Sequence, residues 1–107
     1  MQYSNEQLAH IGAKVIENRE EKKKWIEASR PTWIAEGKGL KTVRKSLKIA
    51  LHDISERISV SIPVLMKLEA GDPVERRPLV YAAYKTAMEL ILAEHRLMMQ
   101  EFKANLK

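Results

Sequence analysis

The stretch Ile49–Gly71, IALHDISERISVSIPVLMKLEAG, decides the reading of this chain. Leu51, Ile54, Ser55 and Ile58 recur at the spacing of a single helix face, i, i+3, i+4 and i+7. Ser59-Val60-Ser61 interrupts that face as a short turn. Leu65 and Leu68 then anchor a further helix, which Gly71 stops. Two short helices joined by three residues form a recognised structural unit.

Working outward, Leu40, Val43 and Leu47 make one apolar face of a preceding helix. Downstream, the loop Asp72–Pro78 carries two prolines, and a long helix is predicted to start near Pro78, a residue suited to a first turn. Its stripe is Val80, Ala83, Tyr84, Ala87, Leu90, Ile91, Leu97, Met98 and Phe102. No segment alternates as a strand does. The predicted fold is all-α, with four helices from Leu40 onward.

At the other end, Ser4 and Gln7 have capping-box spacing, and Leu8, Ile11, Val15 and Ile16 follow at helical intervals. Arg19–Lys24, six charged residues in a row, reads as a solvated helix face with internal pairs such as Glu20–Lys24. Pro31 disfavours helical geometry at Arg30, so this helix is predicted to end at Ser29–Thr32. Thr32 then caps a short segment holding Trp33 and Ile34. Gly37 and Gly39 are turn or helix-stop signals. A helical arm, 1–36, is therefore set apart from a domain spanning 37–107.

The chain has 107 residues, 45% of them hydrophobic and 31% charged, which suits one ordered domain with a modest core. The absence of cysteine excludes disulfides, thiolate zinc sites and thiol nucleophiles, and fits a cytoplasmic setting. Residues 1–5 are polar, with no signal peptide expected, and no apolar run is long enough for a membrane span. The net charge is +5, and it concentrates in residues 40–77, which hold eight Lys and Arg against five Asp and Glu. Such an excess suits an anionic partner. His10, His52 and His95 lack ligand spacing, no serine sits in a nucleophile elbow, and there is no phosphate loop. No metal, cofactor or catalysis is expected. Trp25 and Trp33 are assigned to core or interface packing.

In its register the quoted stretch resembles the helix-turn-helix of the lambdoid repressor and Cro class. Ile54 and Ser55 stand for that class's apolar–small pair, Ser59-Val60-Ser61 for its turn, and Leu65 for the anchor of the recognition helix. Leu68-Glu69-Ala70-Gly71 matches the helix end, and Arg44 stands where the class has an arginine paired with that glutamate. The likeness runs from Leu40 to about Leu92. It implies a four-helix repressor-like domain, an Arg44–Glu69 structural bridge, and binding to double-stranded DNA. Val60 should plug the core beneath the turn, and Ser61 should accept a bond from an amide in the next helix.

The resemblance places Lys48, His52, Ser61, Ile62, Pro63, Met66, Lys67, Arg76 and Arg77 at the DNA, the two arginines as phosphate ligands. Three features depart from the class: Ser59 replaces a turn glycine, Leu51 a phosphate-holding glutamine, and Ile62 and Pro63 polar base-reading residues. Apolar side chains there can still meet thymine methyls. The apolar ridge Ile62, Val64 and Met66 allows an alternative, a repurposed module that docks on a protein, as an antirepressor or adaptor does. Leu97, Met98 and Phe102 outrun a four-helix core and need a partner, either the helix Leu8–Ile26 of the same chain or a second subunit. A homodimeric regulator of a phage or mobile element, with no membrane association, is the resulting expectation.

Overall fold

Four helices make up the described part of the chain: α1, Asn5–Ser46; α2, Leu51–Ile58; α3, Ile62–Ala70; and α4, Arg77–Asn105. The computed structural model describes the backbone of residues 4–106 and the side chains of 4–7 and 18–106. Leu8, His10, Ile11, Val15 and Ile16 lie outside the described side chains. The fold is all-α, and no strand occurs among the described residues. Nor is any described helix long and apolar enough to cross a membrane.

Local chemistry explains most of the ends. The Ser4 hydroxyl accepts from the Gln7 amide at 3.2 Å, and the Gln7 side chain accepts from the Ser4 amide at 2.9 Å, closing a capping box on α1. Ser59 ends α2 with φ 55°, a left-handed conformation at a small cost for a serine. Gly71 ends α3 with φ 79°. Ser61 precedes α3 without a side-chain cap; its carbonyl accepts from Leu65 at 3.1 Å instead.

The predicted break at Ser29–Thr32 does not form. Helix α1 runs unbroken through Pro31, Gly37, Gly39 and the expected boundary between residues 36 and 37. Pro31 removes one helical hydrogen bond, but a contact within the helix across it and an ion pair to the α3–α4 loop hold the helix together. Trp25 packs edge-on against Trp33, centroids 5.3 Å apart, and Arg30 meets Asp72 at 3.5 Å. Gly37 is the seat of α3, because a Cβ there would lie 2.4 Å from the Glu69 carbonyl oxygen and 2.5 Å from that of Leu68. Its missing side chain admits a neighbouring backbone and stops nothing.

Leu40, Ile49, Ile54, Leu65, Leu68, Tyr84, Ala87 and Met88 form the core. Met88 takes the place on α4 expected for Leu90, which is exposed. Val60 packs against this core from the turn. Helix α4 starts beside Trp33 and passes Tyr81 and Leu92 along a groove lined by Leu40, Val43 and Leu47. The two long helices thus run alongside each other in the same sense. Their free halves leave opposite ends of the core, giving a molecule 83 Å long. Leu97, Met98 and Phe102 are exposed.

Two glycine substitutions should separate sharply. Gly37→Ala forces a methyl into the α3 backbone and is expected to cost about 1–3 kcal/mol, as overpacking does. Gly39→Ala has nothing within 4 Å and should instead stabilise by roughly 1 kcal/mol through helix propensity. Thermal unfolding of both variants checks the pair.

Candidate nucleic-acid interface

The junction behind α3 is built around one carboxylate. Glu69 is buried, and Arg44 of α1 reaches it with two bonds, Nε to Oε2 at 2.7 Å and Nη2 to Oε1 at 3.2 Å. The Tyr84 hydroxyl of α4 donates to the same Oε2 at 2.5 Å. Arg44 Nη1 also donates to the Ile49 carbonyl at 3.1 Å, which orders the link into α2. Bonding to Glu69 raises the Arg44 pKa. Burial, then the bond to Glu69, holds the Tyr84 phenol protonated well above its ordinary value.

Arg77 corrects the expectation from sequence. Its side chain does not reach outward to phosphate; it is buried, 5% exposed, and turns inward. Nη2 donates to the Trp33 carbonyl at 2.9 Å and to that of Leu68 at 3.4 Å, and Nη1 donates to that of Asp72 at 3.4 Å. The guanidinium also stacks over the Trp33 ring, 5.4 Å from its centroid. A cation at the last carbonyls of α3 caps that helix and suits its dipole. Burial lowers the Arg77 pKa. The neighbouring Arg76, with φ 53°, stays on the surface.

With Leu65, Leu68 and Glu69 turned inward, the opposite side of α3 presents Ile62, Pro63, Met66 and Lys67 to solvent. Ser61 is exposed at its start. Lys48 lies in the α1–α2 link with φ 58°, and His52 on α2 is exposed and meets Glu56 at 3.0 Å. Ser55 Oγ donates to the Val60 carbonyl at 2.6 Å, so this small residue ties down the turn besides allowing helices to approach. Compared with family models, curated proteins and solved structures, the chain matches none.

Three features are not foreseen from the sequence. Tyr84 stands there only as part of an apolar stripe, although a fully buried phenol needs a partner for its hydroxyl. Arg57 on α2 pairs with Glu94 on α4, holding that carboxyl below its ordinary pKa; only their charges and helix phases hint at it. The Trp25–Trp33 contact spans the very proline predicted to part them.

The raised Tyr84 pKa gives a signed prediction. The native state keeps a proton that the unfolded chain releases near pH 10, so this stabilisation is complete below pH 10 and falls as pH rises further. Tyr84→Phe should cost about 1–2 kcal/mol at neutral pH. It should also flatten the loss of stability above pH 10, as read by denaturant titrations at about pH 8 and 11.

Proposed function

We propose that this chain is a double-stranded-DNA-binding regulator in which α3 is the reading helix. What carries the reading is one juxtaposition. A short helix is fixed from behind by a buried ionic junction and left open on its outer side, where Lys67 is exposed; Lys48 and Arg76, in the links before α2 and after α3, are exposed too. Functional side chains need such rigid backing, since small displacements weaken directional contacts. Lys67 is the polar contact to a base edge, while Ile62, Pro63 and Met66 meet thymine methyls. Lys48, His52, Ser61 and Arg76 hold the backbone.

The active form in this reading is a homodimer. Leu97, Met98 and Phe102, between 57% and 66% exposed, supply its contact, and a two-fold pair of α3 helices would read half-sites about one helical turn apart. Placement in a phage or mobile element rests on the family resemblance alone. One observation favours a second reading, docking on a protein: Ile62 and Met66 are 37% and 58% exposed on the outer side of α3. DNA is preferred because Lys67 is exposed on that same side and the chain carries a net charge of +5.

Binding of labelled random and genomic duplexes, titrated from low to high salt, tests the proposal. The expected result is a steep loss of affinity with salt, with enriched sequences. Arg76→Gln should weaken all sequences alike and lower the log–log slope of the dimer by about 1.8, at about 0.9 per subunit. Met66→Gln should change which sequence is preferred. Absence of binding by the wild-type chain at low salt overturns the reading.

A further inference from the structure

The free half of α1 is the largest feature that the core does not use, and its charges are sorted by face. Gly37 marks the line along α1 on which α3 sits. At about 100° per residue, Arg30, Ile26 and Arg19 return to within about 20° of that line, with Lys23 and Lys22 about 40° and 60° to its two sides. Glu20 and Glu21 lie about 100° and 160° away, and Glu27 borders the basic face at about 80°. Arg19, Lys22, Lys23 and Arg30 share one shallow surface groove, with Glu27 as its one carboxylate.

The intrahelical pairing expected of Glu20 with Lys24 does not occur. Among the described residues, no carboxylate lies within ion-pair distance of Arg19, Lys22 or Lys23. Arg30 is already paired with Asp72 and roots the row. A larger groove of about 750 Å³ then joins Lys22 on α1 to Arg76 in the α3–α4 loop. Glu36 and Glu75 also line it.

The direction of this face is what gives it meaning. Helix α3 lies against the Gly37 line with Leu68 and Glu69, and its opposite side is the outer one. Past α3, the same line of α1 is uncovered and basic, so its side chains project toward the side on which α3 is open. From Gly37 to Arg19 the row extends for about 27 Å, well beyond a major groove about 12 Å wide.

We propose that the N-terminal half of α1 is a basic rail, Arg19, Lys22 and Lys23, which follows the phosphate backbone of duplex DNA flanking the segment met by α3. This inference rests on the DNA reading above and extends its contact set to a region outside the resemblance. The rail reads no sequence. It lengthens the site and adds salt-sensitive affinity.

The test is fluorescence anisotropy over a range of salt, with a duplex of about 40 bp and another of about 14 bp, lengths chosen because the rail reaches roughly 27 Å from Gly37, where α3 sits. Arg19→Gln/Lys22→Gln/Lys23→Gln removes three cations from each subunit and should lower the log–log salt slope of the dimer on the long duplex by about 5.4, at about 0.9 per phosphate. The slope on the short duplex and the order of preferred sequences should not change. Lys24→Gln, on the far side of the helix, removes a charge and should leave the slope intact, whereas Lys22→Gln alone should lower it. The three exposed changes should leave the melting temperature unaltered. An unchanged slope in the triple variant, or an equal effect of Lys24→Gln and Lys22→Gln, overturns the rail while leaving the DNA reading standing. No binding by the wild-type chain to either duplex at low salt overturns both.

Discussion

The bond from Arg44 to Glu69 is the interaction on which the rest of the structure depends. A carboxylate as buried as Glu69 is tolerable only when its charge is met and its lone pairs are filled. Arg44 supplies the charge from α1, Tyr84 supplies a further donor from α4, and Arg44 also holds the Ile49 carbonyl in the link before α2. A single side chain of α3 is thereby tied to α1 and α4, and through Arg44 to the link into α2. The position of α3 follows from electrostatics in the interior as much as from apolar burial.

The second constraint acts at the far end of α3. Gly37 lets its last turn approach α1 at backbone distance, and Arg77 closes its terminal carbonyls from behind. Trp33 serves both jobs, its carbonyl receiving Arg77 and its ring covering the guanidinium. Inner-side atoms so committed leave α3 only its outer side for contact with anything else. The same commitments withdraw Arg77 from the surface charge and leave Arg76 as the exposed cation of the loop.

Much of the centre is legible in the sequence. The spacing of Leu51, Ile54, Ile58, Leu65 and Leu68 points to α2, the turn and α3, because amphipathic periodicity reports burial directly. The pairing of Arg44 with Glu69 comes from register with a known class. Breaker residues mislead: Pro31 and the two glycines carry local preferences of a few kcal/mol at most, which packing of Trp25, Trp33 and Leu40 overrides. Arg77 is misplaced because an arginine beside a loop looks solvated until the carbonyls of Trp33 and Leu68 converge on it, and no sequence signal encodes that convergence. Ser61 keeps its place but not its bond, since the capping geometry is decided by a single side-chain torsion.

The open outer side of α3 is therefore a consequence of one internal arrangement. Whether the Arg44–Glu69 pair organises that arrangement is best measured by a double-mutant cycle of Arg44→Met and Glu69→Gln, using denaturant unfolding at neutral pH. Each single change should cost about 3–5 kcal/mol by leaving its partner buried and uncompensated. The double variant should lose less than the two together by about 2 kcal/mol or more, within the range seen for directly interacting residues. A double variant that folds where either single variant does not demonstrates the same coupling. Losses that add to within about 0.5 kcal/mol would contradict the account, because independent sites behave in that way.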